Sequence, residues 1–204
     1  MNAIETVALF GGTFSPPHRG HIRAAEAFFH AVRPSRLLIL PSAISPHKAP
    51  VIGASPADRL AMCRLAFSHI PHTEVSDMEF HREGKSYTVL TLRELSREGR
   101  RLVMLVGTDM FLTLASWYCS EEIFRLADIA VIRRETDGEA LRAIEAKAKE
   151  YRDAFDARVI FIDEPPFAVS STEVRRRLLG GDDTEGLLSP EVANYIKERR
   201  LYRT

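Results

Sequence analysis

Short apolar runs alternate with longer stretches in which apolar positions recur every three or four residues, and this rhythm holds along the chain. Thr6 to Phe10, Arg36 to Leu40, Arg101 to Val106, Ile129 to Ile132 and Val159 to Ile162 read as buried strands. Pro41 is expected to stop the second, and Thr73 to Phe80 is expected as a further strand. The helical pattern predicts helices from about Gly20 to Val32, from Ser55-Pro56 to about His69, and from about Thr88 to Glu98. Ser55 supplies an N-cap and Pro56 the first helical position, while Gly99 suits a left-handed helix end. Ser120 is expected to cap a short helix bearing Ile123, Phe124 and Leu126. Gly138 to Phe155 reads as a charged, solvated cover helix, and two short helices begin near Ser171 and near Ser189-Pro190.

Strands that are apolar without clean alternation, each followed by a helix, predict an α/β fold: a doubly wound parallel sheet covered on both faces. The chain of 204 residues reads as a single domain, 1–204. Its α/β core covers about 1–165 and a small helical C-terminal extension about 166–204. Ligands of such sheets bind beyond the carboxyl ends of the strands. The loops after Phe10, Leu40, Val106 and Ile162 are therefore the places to search.

Composition narrows the picture little. A hydrophobic share of 45% and a charged share of 27% are those of an ordinary globular chain, which excludes disorder and collagen-like repeats. Twenty-eight basic and 28 acidic residues leave no basic excess for coating nucleic acid. Arg175-Arg176-Arg177 and Arg199-Arg200 nonetheless concentrate positive charge near the end. Two cysteines, Cys63 and Cys119, are too few for a disulfide framework and are expected as small buried hydrophobes. The longest apolar runs fall far short of the roughly 20 residues that span a bilayer. No secretory leader is read at the start, and a cytoplasmic protein without nucleic-acid or membrane partners is expected. A homo-oligomer is compatible with these features.

The loop after the first strand reads Gly11-Gly12-Thr13-Phe14-Ser15-Pro16-Pro17-His18-Arg19-Gly20-His21. Its glycines let backbone approach a ligand, and the helix that follows turns its amides toward an anion. His18 and His21 can both project toward that anion, with Gly20 leaving space for a phosphate or nucleobase. The loop lacks the Lys-Ser/Thr of a Walker A loop and is not a dinucleotide G-x-G-x-x-G. Capping is the competing reading of the two histidines. No Cys/His partners at convincing spacing point to zinc, and no protein-held metal site is expected.

The same residues closely resemble the signature of the adenylyl- and cytidylyltransferases that share the nucleotide-binding fold of class I aminoacyl-tRNA synthetases. Val169-Ser170-Ser171-Thr172-Glu173-Val174-Arg175 is similar to that superfamily's second motif. Three intermediate segments look like bacterial nicotinate-nucleotide adenylyltransferases: Pro41 to Lys48, Arg82 to Thr88 with Thr91-Leu92, and Val106-Gly107-Thr108-Asp109 with Trp117. The tail, Val192 to Ile196 with Leu201-Tyr202, is similar as well, so the resemblance covers nearly the whole chain. Ser15 departs from it, standing where the family usually has an acidic residue.

The resemblance implies a Rossmann-like nucleotidyltransferase fold and attack by the phosphate of nicotinate mononucleotide on the α-phosphorus of ATP. It implies catalytic roles for His18, His21 and Arg175. ATP would be held by Gly11, Gly12, Thr13, Phe14, His18, Gly20, His21, Ser170, Ser171, Thr172 and Arg175. Nicotinate mononucleotide would be held by Lys48, Tyr87, Thr88, Gly107, Asp109 and Trp117. In physical terms Tyr87 and Thr88 offer helix-start amides to a carboxylate, Trp117 a face to a cationic ring, and Asp109 a partner for a ribose hydroxyl. Mg²⁺ would bridge the triphosphate with few protein ligands. Solvated readings compete for Lys48, Arg175, Arg176 and Arg177, core filling for Trp117, and helix capping for Asp109. A pantetheine-phosphate or nicotinamide-mononucleotide adenylyltransferase and a catalytically silent nucleotide sensor are the other readings.

Overall fold

The computed structural model describes residues 4–46, 53–165, 167 and 169–203. Six strands, β1 (Glu5–Gly12), β2 (Arg36–Pro41), β3 (Thr73–Val75), β4 (Arg100–Gly107), β5 (Ala127–Arg133) and β6 (Val159–Asp163), form one sheet. Every pair is parallel and the order is β3-β2-β1-β4-β5-β6. Alternate strand residues feed two cores, as a sheet buried on both faces requires. Ala8, Phe10, Leu37, Ile39, Val103 and Leu105 face one core, completed by α1 (Arg19–Val32), α2 (Pro56–Phe67), α7 (Ser171–Gly180) and α8 (Pro190–Arg199). Val7, Leu9, Leu38, Leu102, Met104 and Ile129 face the other. There α3 (Thr88–Leu95), α4 (Thr108–Leu112), α5 (Ser120–Leu126) and α6 (Gly138–Phe155) pack. No helix among the described residues is long and apolar enough to cross a membrane.

Strand order reverses between β1 and β4, where such sheets bind ligands. The two strands pair as far as Phe10 and Leu105. Beyond that point Gly11 and Gly12 continue beside Leu40 and Pro41 of β2, while Val106 and Gly107 continue beside Val131 and Ile132 of β5. The strands part, and a crevice opens between them.

Several local expectations are corrected. β2 runs through Pro41. β3 ends at Val75, because an edge strand paired to β2 at three positions gives way to a 3-10 turn, Met78–His81, that turns Glu79 inward. α3 stops at Leu95, where Ser96 turns extended and donates its N–H to Leu92. Gly99, at φ 75°, makes the later turn into β4. Cys119, left-handed and exposed, precedes α5 in place of Ser120, whose hydroxyl bonds the Ala115 carbonyl at 2.9 Å. α6 is more than a solvated cover: Ile144, Ala148 and Tyr151 line its buried stripe. The Tyr151 hydroxyl donates to the Phe111 carbonyl at 3.0 Å and accepts from Ala115 N–H at 3.2 Å, fixing the segment that leads to Trp117. Short α4, directly after β4, was absent from the sequence pattern.

Candidate active site

His18 and His21 form a reciprocal cap at the start of α1. His18 Nδ1 accepts the His21 N–H at 3.3 Å, and His21 Nδ1 accepts the His18 N–H at 3.2 Å. Two orphan donors of the helix start are thereby satisfied, in the manner of a Ser/Glu capping box. Because both Nδ1 atoms accept, the ring proton of each neutral imidazole resides on Nε2. The rings stack with centroids 3.7 Å apart. Capping is thus observed, and it engages Nδ1 of each ring.

The loop before these histidines is held by its own aromatic residue. Phe14 lies at φ 47° and is 1% exposed, edge-on to Phe10 at 5.3 Å and Phe67 at 5.7 Å. A Cβ on Gly12 would come within 2.9 Å of the Phe14 ring, so this glycine makes room for the phenylalanine. Gly20 leaves no space for a phosphate above it: a Cβ there would meet Val169 at 2.8 Å and the His18 ring at 3.2 Å. A Cβ on Gly11 or Gly107 would meet nothing within 4 Å, and both glycines border the crevice. Beneath the loop, buried Arg59 of α2 donates to the carbonyls of Thr13 at 2.9 Å and Ser42 at 2.7 Å. Its guanidinium lies over the Phe80 ring at 5.1 Å. Sequence reasoning passed over Arg59; the signal was a pair of charges, Asp58 and Arg59, at buried positions of a helix face.

The two ends of the chain meet here. Arg175 Nη1 donates to the Ser15 carbonyl at 2.7 Å, and the Ser171 hydroxyl donates to the Pro16 carbonyl at 3.0 Å. The contact between Gly20 and Val169 closes the same junction. Ser170 caps α7 through the Glu173 N–H at 3.1 Å, and Arg175 Nη2 also donates to Thr172 Oγ1 at 3.2 Å. Among the described residues, two of the five N–H donors of Arg175 are engaged. Arg176 and Arg177 pair with Glu173, whose carboxyl they hold down at about 2. Arg176 also pairs with Asp182 at 3.7 Å and Arg177 donates to the Asp183 carbonyl at 3.2 Å, just past the helix end.

Beside the junction a cavity of about 190 Å³ sits in the crevice between β1 and β4. Gly11, Gly12 and Thr13 border it, as do Thr88, Gly107 and Trp117, over an apolar floor that includes Leu9, Leu40 and Met104. Tyr87 and Asp109 stand outside this lining, and Lys48 lies outside the described residues. The expected pair of amides is also revised. Tyr87 N–H is engaged by the Lys85 carbonyl at 2.9 Å, whereas Thr88, the first residue of α3, borders the cavity. The Tyr87 ring rests on exposed Tyr118, centroids 4.8 Å apart.

Ser15 has a partner from the far end of the chain. Its hydroxyl lies 2.9 Å from the Tyr202 hydroxyl, and both residues are buried. Tyr202 is left-handed at φ 61° and donates its N–H to Gly53 at 3.2 Å. Burial pushes the Tyr202 phenol up to about 12, against bonding from Ser15 and the charges of Arg175 and Arg59. A phenol raised in the folded state supports folding fully below its unfolded value near 10, and that support is lost as pH rises to about 12. Tyr202→Phe is therefore expected to flatten the fall in stability over that alkaline window, measured by denaturant titration. An unchanged alkaline limb would contradict this placement.

A family model described as cytidylyltransferase-like matches residues 9–177. A probable nicotinate-nucleotide adenylyltransferase of Synechococcus sp. (strain JA-3-3Ab) is 35% identical over 198 residues, covering 96% of this chain and 94% of that one. Its counterpart in Laribacter hongkongensis is 36% identical over 209 residues, covering 97% and 94%. Among solved structures, a Plasmodium falciparum nicotinic acid mononucleotide adenylyltransferase complexed with NaAD superposes with a TM-score of 0.74 at 17% identity, over 97% of both chains. A putative nicotinate-nucleotide adenylyltransferase from Vibrio parahaemolyticus gives 0.64 at 20% identity, over 98% and 96%. At those identities the structural likeness speaks for the fold.

Proposed function

The chain belongs to the nicotinate-nucleotide adenylyltransferase family, and from that premise we propose that it transfers the adenylyl group of ATP to nicotinate mononucleotide. The products are nicotinate adenine dinucleotide and pyrophosphate. The observation that carries this reading is the junction of Arg175 and Ser171 with the Ser15-Pro16 carbonyls beside a cavity at the strand-order reversal.

The acceptor's phosphate monoester is mostly dianionic near neutral pH, with a second pKa of about 6, so it attacks the α-phosphorus without a base. A bond forms from the acceptor oxygen to that phosphorus, and the bond to the pyrophosphate oxygen breaks. Catalysis then rests on aligning two polyanions and stabilising charge that spreads over the transferring group. The Nε2–H donors of His18 and His21, the start of α7 and the Arg175 guanidinium supply that stabilisation. Mg²⁺ would come with the triphosphate as part of the substrate, with few protein ligands, and would offset the negative charge of the phosphates. An ATP-dependent reaction of this kind suits a cytoplasmic enzyme.

The acceptor's pyridinium ring is assigned to the cavity, against Trp117, with its carboxylate toward the Thr88 amide. Trp117→Ala is expected to raise KM for nicotinate mononucleotide about tenfold while KM for ATP stays near its wild-type value. The reverse pattern in initial-rate kinetics would remove the stacking role. The reading as a whole is tested by product formation from ATP with nicotinate or nicotinamide mononucleotide as sole acceptor. Turnover with a preference for the acid is expected; absence of turnover with either would defeat the assignment.

A further inference from the structure

We propose that Glu79 is a positioning residue that sets the acceptor-binding turn and, through it, the preference for an acid over an amide. The inference rests on the assignment of the acceptor to the cavity at β1 and β4. Among the described residues bordering that cavity, Glu79 is the one ionisable side chain, and it carries the same charge as the acid to be bound. A role as direct counter-charge is thereby excluded, and the hydrogen bonds around it indicate a different one.

Glu79 Oε1 accepts the Thr91 hydroxyl at 2.9 Å, and Ser86 borders the cavity beside it. Each hydroxyl oxygen is in turn taken by an N–H donor: Arg82 Nη1 to Thr91 Oγ1 at 2.8 Å, and Ala43 N–H to Ser86 Oγ at 3.0 Å. A hydroxyl has one proton, and that of Thr91 runs inward to Glu79. Glu79 is the terminal acceptor of a chain that ties the 3-10 turn to the first turn of α3. Ser86 is tied a second time by its own N–H to the Ile44 carbonyl at 2.9 Å. These bonds hold residues 86–88, the turn into α3, against the loop after β2. Thr88, next in line, carries the helix-start amide at the cavity. Arg82 also pairs with Glu94, so its charge is shared. Burial pushes the Glu79 carboxyl up, opposed by the Ser86 and Thr91 hydroxyls and the Arg82 charge.

Removing the carboxylate strands the buried Thr91 hydroxyl proton and loosens the first turn of α3. Glu79→Ala in the full chain is expected to raise KM for nicotinate mononucleotide about tenfold, the usual cost of leaving one buried donor unsatisfied. KM for ATP should stay within about twofold, and the ratio of nicotinate to nicotinamide turnover should fall with the acceptor affinity. Glu79→Gln keeps one acceptor oxygen and is expected to lie between the two. Thr91→Val, a same-shape change that removes one donor, decides the matter if Glu79→Ala does not fold, and should show the same split at smaller size. Equal changes in both KM values, or unchanged acceptor KM and selectivity in folded Glu79→Gln and Thr91→Val, would overturn the proposal while leaving the activity intact. A wild-type chain inactive with both mononucleotides would instead overturn the functional reading, and this assignment with it.

Discussion

Replacing His18 with asparagine is expected to leave the chain folded and to slow adenylyl transfer about a hundredfold or more, the usual loss when one charge-stabilising donor is removed. Asparagine is chosen because His18 has two jobs on two nitrogens. Its Nδ1 caps α1 by accepting the His21 N–H, and an asparagine side-chain oxygen can take over that bond. Its Nε2–H has no equivalent in asparagine at the same reach. His18→Ala removes both and should lose a further 0.5–2 kcal/mol or so of stability with the cap. Thermal unfolding and kcat measured on both variants separate the roles. Near-wild-type turnover in His18→Asn would show that the imidazole serves the helix alone.

The second large effect is expected at Arg175. Arg175→Ala should lower kcat/KM for ATP about a hundredfold or more, with KM for ATP raised, if the guanidinium meets both the bound triphosphate and the transition state as proposed. Arg175→Lys should recover only part of this. The guanidinium spans the Ser15 carbonyl and Thr172 with two of its N–H groups and keeps a fixed fork of others, whereas an ammonium is a single rotatable point charge. Initial-rate kinetics on both variants, with circular dichroism as the control for folding, makes the comparison. Full recovery by lysine would mean that charge alone is needed, and an unaffected alanine variant would make Arg175 a structural strut.

These residues were legible in the sequence because each motif is local: the glycines, histidines and Ser-Ser-Thr run stand within a few positions of one another. The strands at the centre of the sheet were legible for a related reason, since burial on both faces leaves an unbroken apolar run. What could not be read is what distant segments do to each other. The Ser15 to Tyr202 bond crosses 187 positions, and nothing in either neighbourhood announces it. Arg59 and Glu79 look like ordinary helix and turn charges until the loops they fasten are folded over them. Gly12 and Gly20 likewise have neighbours that the sequence does not announce, since a Cβ there would meet Phe14 and Val169. Tyr87 shows the limit at finer scale: its amide is spent on a tight turn to Lys85 that composition does not reveal.

The decisive measurement is a crystal structure of the chain with a non-hydrolysable ATP analogue. The triphosphate is expected at the junction of the two motifs, within hydrogen-bonding distance of Nε2 of His18 or His21 and of the Arg175 guanidinium, with the cavity beside Trp117 left open for the acceptor. An analogue bound elsewhere, with the imidazoles and Arg175 touching no phosphate oxygen, would contradict the account.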